Sequence, residues 1–151
     1  MGHPTISIFT DRQIGKVIAT LTLPNLVDRI LANRRFIPKQ DVRTVTLNDI
    51  VVDTGVTILC LSADIIHQLD LALLGEIDTA TATGVGKACV FKTVSLAVAG
   101  RESIFDCLEL PSGQPSLLGA IPMERLGLEP ERRRQKLRTL LMNVVETYMT
   151  M

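Results

Sequence analysis

The chain reads as one mainly β domain carrying two or three short helices. Three observations lead there: short runs alternate branched apolar with small polar residues, Gly, Pro, Asn and Asp punctuate them at short intervals, and the helical periods are brief. With 151 residues the chain is the size of one ordinary domain with room for a core. Hydrophobic residues make up 46% and aromatics 3%, so that core must be aliphatic.

The elements follow in order. Residues 15–23 alternate as a half-buried strand that Pro24 ends. The next stretch spaces Leu26, Ile30 and Leu31 on one side of a short amphipathic helix, with Asn25 placed to cap it. Residues 36–40 form a loop around Pro38; residues 43–47 alternate again, and Asn48-Asp49 marks a turn before the apolar run Ile50-Val51-Val52. Behind Ser62, residues Ile65, Ile66 and Leu69 keep helical spacing. Residues 79–91 read as two strands around Gly84 and Gly86, residues 93–100 and 102–110 as two more, and residues 112–115 as a turn. Leu117-Leu118 ends a strand, and a helical turn stops near Gly127. Further on, Leu137, Leu140, Leu141, Val144, Val145 and Tyr148 keep a helical period, and the basic run before them, residues 132–138, reads as a solvated face.

Composition excludes several classes. Lys plus Arg and Asp plus Glu each count 16, so no overall field draws the molecule onto nucleic acid or an anionic membrane. No Trp and one Tyr argue against base-stacking platforms. Cys60, Cys89 and Cys107 are odd in number and lack zinc or dithiol spacing, which suits a reduced, cytoplasmic setting. No run approaches a membrane span, and the first residues have no signal-peptide pattern. Gly84-Val85-Gly86-Lys87 is not a phosphate loop, since Thr81 and Ala88 stand where Gly and Ser or Thr are needed. Cys60 and His67, about 10 Å apart along a helix, are too distant to act as nucleophile and base. His67 has no companion at ligand spacing, and no metal is expected.

The informative stretch is Ile50-Val51-Val52-Asp53-Thr54-Gly55-Val56-Thr57. A carboxylate at the end of a buried run is costly unless partnered, held neutral, or used. An Asp after a strand can equally be a turn residue bonding its own backbone. Two such acids facing each other would share one proton and could together activate water, one as base and one as acid.

This stretch, the Thr81 to Gly86 segment and the Leu117-Leu118-Gly119 strand with its following helix together resemble the retropepsin-like aspartic proteases, particularly the single-domain bacterial type. The resemblance covers about residues 14–130. It implies an acid-protease half-barrel, one lobe per chain, with residues 1–13 an N-terminal extension and residues 131–151 a C-terminal segment, helical or dimer-forming. It also implies that Asp53 is the catalytic acid or base, Thr54 interlocks with its symmetry mate, Gly55 lines the cleft and Thr57 offers its hydroxyl to the carboxylate. Thr83, Gly84, Val85 and Gly86 would form a flap over an extended peptide, with Leu117, Leu118 and Gly119 bracing the loop. Val56 stands where the family most often has Ala or Ser, which would set a branched side chain close to the acid. No second Asp-Thr-Gly is found; Asp78-Thr79-Ala80 lacks the Gly. A dyad therefore requires a homodimer. The implied activity is an endopeptidase on peptide or protein substrates, without cofactor; the alternative is an inactive peptide-binding module of the same fold.

Overall fold

The structure, a computed structural model, describes residues 5–7, 17–81, 84–98 and 100–140. Its strands are β1 (Thr5–Ser7), β2 (Val17–Pro24), β3 (Thr44–Val52), β4 (Leu59–Ser62), β5 (Ala72–Thr81), β6 (Gly84–Val98), β7 (Arg101–Leu110), β8 (Leu117–Leu118), β9 (Leu128–Glu131) and β10 (Lys136–Thr139). Three α-helices interleave: α1 (Leu26–Asn33), α2 (Ala63–Leu69) and α3 (Ala120–Leu126). The mainly β expectation holds, with a mixed rather than purely antiparallel sheet.

The sheet runs β1-β5-β6-β2-β3-β8-β4-β7, and β7 also pairs with β6. One edge of the long β6 meets β5 and then β2, and β7 takes the other. Strands β6, β2, β3, β8, β4 and β7 therefore close on themselves, which removes free edges. The β5–β6 hairpin extends beyond this ring, and β1 adds to it in parallel.

Several expected boundaries move. Asn48-Asp49 is not a turn: β3 runs unbroken from Thr44 to Val52. Ala19 pairs with Ile50 and Leu21 with Leu47, so Asn48 and Asp49 together oppose Thr20 in a β-bulge. The extra residue shifts the side-chain phase and lets Leu47, Ile50 and Val52 all face inward. The strand expected to start near residue 79 begins at Ala72, and the two runs 84–91 and 93–98 are one strand. Here Lys92 and Thr93 oppose Asp106, a second bulge that bends β6 between its two partners.

Helix α1 is capped as expected, with Asn25 Oδ1 accepting from the Asp28 amide at 3.0 Å. Its orientation is not as expected. Asp28 and Ala32 are its buried residues, while Ile30 is exposed. The inward face is fixed by polar bonds: Asn25 Nδ2 donates to the Leu69 carbonyl at 2.8 Å, and Asp28 accepts from Arg43 Nε at 2.7 Å, Nη2 at 2.8 Å and the backbone amide at 3.1 Å. Arg43 also reaches Asp70 at 2.7 Å. One polar cluster thus ties α1, the start of β3 and the end of α2, and a half-exposed Arg satisfies the buried carboxylate. Ser62 precedes α2 but supplies no side-chain cap; its amide donates to Ser116 Oγ at 3.4 Å.

At the C-terminal side, α3 ends on Gly127 with φ 64°, as expected. Lys136–Thr139 pairs antiparallel with β9, so the helical period expected from Leu137 gives way to a strand; its continuation beyond 140 lies outside the described residues. Leu137 packs against the main core, and Arg101 donates to the carbonyls of Leu126, Gly127 and Leu140. The folded unit therefore runs past residue 130. The basic run occupies the exposed tip and outer strand of this hairpin, where Arg134 pairs with Glu131 and Arg138 with Glu129.

The core has two parts. The larger, around Leu21, Ile50, Leu61, Leu96 and Leu118, fills the ring. The smaller gathers Val56, Cys60, Leu108, Leu110 and Leu117. Every residue of β4 is buried, and Leu59 and Leu61 join the larger core while Cys60 joins the smaller. No helix among the described residues is long and apolar enough to cross a membrane.

Candidate active site

Asp53 sits at the mouth of the loop between β3 and β4. The two strands that carry the loop do not pair with each other; β8 lies between them, parallel to β3 and antiparallel to β4. The Val51 amide donates to the Ser116 carbonyl at 2.9 Å and the Asp53 amide to the Leu118 carbonyl at 3.0 Å. These bonds fix the main chain that leads into the acid.

The loop is then held from below. The Ala120 amide donates to the Val56 carbonyl at 2.7 Å and the Ile121 amide to the Thr57 carbonyl at 2.9 Å, so the first amides of α3, which lack partners within the helix, are satisfied by the loop. The approach is close enough to require glycine. A Cβ on Gly119 would stand 2.3 Å from the Ile58 carbonyl oxygen and 2.7 Å from the Ile58 nitrogen. Leu117 and Leu118 are buried, one in each core, and Gly119 lets two backbones touch.

Val56 is completely buried in the smaller core. The branched side chain expected to crowd the acid is turned away from the loop's open side and anchors it instead. Ile77, Ala88 and Val90 from the base of the β5–β6 hairpin pack against the same cluster, as do Val51 and Ile58. One apolar layer therefore joins the Asp53 loop to the hairpin expected to be a flap.

The Asp53 carboxylate itself is half-exposed. Oδ1 accepts from the Gly55 amide at 2.9 Å, and the Asp53 carbonyl accepts from the Val56 amide at 3.2 Å. This is a side chain bonding its own backbone two residues on, so part of the turn-forming expectation is met. Among the described residues Oδ2 has no hydrogen-bond partner, and one oxygen is thus fixed while the other is open. Thr54, Gly55 and Thr57 are exposed beside it. Within one chain the Thr57 hydroxyl makes no bond to the carboxylate; Thr57 is engaged through its main chain.

Beneath the loop lies Cys60, buried in the smaller core. Burial pushes its thiol up to about 12, and the negative charge of Asp53 adds to the effect. Cys107 is likewise raised to about 12, chiefly by burial. Both are protonated at neutral pH and poor nucleophiles. Ser116 was missed altogether; its carbonyl and hydroxyl serve the two strands flanking the loop, and a lone Ser beside an apolar pair carries no distinctive pattern.

Of the flap residues, Thr83 lies outside the described residues. Gly84, Val85 and Gly86 pair with Thr81, Ala80 and Thr79 along the hairpin, and Gly84 takes φ 128°, which favours glycine. Val85 is 77% exposed. An open groove of about 670 Å³ runs along α2, lined by Ile66, His67, Leu71, Phe91 and Glu109 among others, and Asp53 is not part of it.

No model of a known protein family matches this chain, and no curated protein matches it either.

Proposed function

We propose that this chain is one half of an aspartic endopeptidase, a retropepsin-like lobe whose Asp53 meets its copy across a twofold axis. The observation that carries the reading is the way the acid is held. Its loop is clamped by β8 and by the contact at Gly119, one carboxylate oxygen is fixed by the Gly55 amide, and the other faces outward beside three exposed small residues. A turn residue alone needs no such support from a distant segment of the chain.

Two carboxylates brought together cannot both ionise, so the pair carries one proton. The ionised member takes a proton from a water molecule, which attacks the peptide carbonyl carbon. The protonated member gives its proton to the carbonyl oxygen, and the tetrahedral species then expels the amine as that nitrogen is protonated. This chemistry needs neither metal nor cofactor. The extended substrate would lie between the acid loops and the β5–β6 hairpins, whose bases share an apolar layer with the loop.

The test compares wild type with Asp53→Asn on a mixed peptide library from acidic to neutral pH. Cleavage by wild type alone supports the reading. Equal cleavage by both would remove Asp53 from the mechanism, and cleavage by neither would favour a non-catalytic peptide-binding module. An active species that sediments strictly as a monomer would contradict the dimer.

A further inference from the structure

Helix α1 is inverted relative to an ordinary surface helix. Its inward face carries Asn25, Asp28 and Ala32, while Val27 is 61% and Ile30 is 45% exposed. Residues three apart lie on one side of a helix, so Val27 and Ile30 form an outward apolar stripe that Arg34 continues.

The end of α1 extends this surface. The Arg35 amide donates to the Ala32 carbonyl at 3.0 Å and the Phe36 amide to the Leu31 carbonyl at 2.8 Å, with Arg35 in the left-handed region at φ 65°. That is a Schellman termination, which fixes where the following residue points. Here that residue is Phe36, 73% exposed. A rigid cap therefore holds an aromatic ring out in solvent.

Cations flank it. Arg34, Arg35 and Lys39 are exposed and form no ion pair among the described residues, with Asp41 the one exposed acid close by in sequence. Arg43 is engaged by Asp28 and Asp70. The balanced total charge hides a local surface that is both apolar and positive.

We infer that the end of α1, through Val27, Ile30, Phe36 and the flanking Arg34, Arg35 and Lys39, docks this protein on an anionic lipid surface. A second copy is disfavoured because a twofold contact through this patch would set like charges against each other. The exposed cations complement anionic headgroups, and a projecting Phe among them suits the boundary between headgroups and acyl chains. The association is peripheral, involves no spanning segment, and is independent of the protease reading.

The test is co-sedimentation of the full chain with phosphatidylcholine vesicles, with and without phosphatidylserine, at low and high salt. The chain should pellet with the phosphatidylserine vesicles at low salt and release as salt rises. The double variant Arg34→Gln, Arg35→Asn keeps a residue that tolerates the left-handed conformation and removes two charges, so affinity should fall roughly thirty-fold. Phe36→Asp should abolish pelleting, while Lys87→Gln on the β5–β6 hairpin should leave it unchanged; matched circular dichroism melts establish that each variant is folded. Absence of pelleting by wild type, or equal pelleting by all variants, would overturn the proposal. Retention on polyglutamate without vesicle binding would assign the patch to an acidic protein and also overturn it.

Discussion

Arg35 occupies a backbone conformation that a glycine would adopt without strain. Arg35→Gly should therefore stabilise the fold by about 1 kcal/mol, read as a raised midpoint in urea with unchanged slope. Gly119 is the opposite case. Any side chain there meets the Ile58 backbone, which cannot retreat without dislodging the Asp53 loop, so Gly119→Ala should cost about 3 kcal/mol or more and lower any activity with it. The thiols give a third check: Cys60 and Cys107, buried and raised to about 12, should resist iodoacetamide at pH 8 in the native state and react once unfolded. At this scale the sequence is only partly legible. Asp53, Gly55 and Gly119 stand out in the sequence because a glycine two places after an acid, or directly after an apolar pair, has few physical reasons to be there. Arg35 and Ser116 did not, because their roles lie in backbone geometry that many residue types can support.

The elements were read well where a periodic pattern is local and less well where tertiary contacts decide. The Asn25 cap and the Gly127 stop are local chemistry, and both are found. The inverted face of α1 is tertiary, since Asp28 turns inward onto Arg43, which lies fifteen residues on, just before β3. Asn48-Asp49 carries the composition of a turn, yet a bulge uses the same residues to break phase without breaking the strand. Residues 136–139 show the reverse, a helical period overridden by pairing with β9. The Asp28 cluster makes an element-scale prediction. Hydrogen bonds from Arg43 hold the Asp28 carboxyl below its ordinary value, against the opposing effect of burial. A depressed folded value means that its contribution is complete above about pH 4 and is lost as pH falls through the folded value. Asp28→Asn should cost about 2 kcal/mol at neutral pH and flatten the acid limb of the stability profile, measured by urea melts across pH.

At the scale of the molecule, a ring of strands closes around an aliphatic core, and a second apolar layer couples the Asp53 loop to the β5–β6 hairpin. Mainly β architecture followed from alternation and turn spacing alone. Ring closure did not, because it depends on β8, two residues long, entering between β3 and β4, and on β6 changing partners at a bulge. The chain supplies one acid in this setting, so the whole functional reading depends on association. Mixing wild type with Asp53→Asn under conditions that allow subunits to exchange, and following peptide cleavage against the fraction of wild type, tests that dependence most directly. If each site needs an acid from both chains, activity at an equal mixture falls to about a quarter of that of wild type at the same total concentration, since only like pairs of intact chains remain competent. A linear decline to about one half would show that a single Asp53 suffices and would contradict the shared-proton dyad.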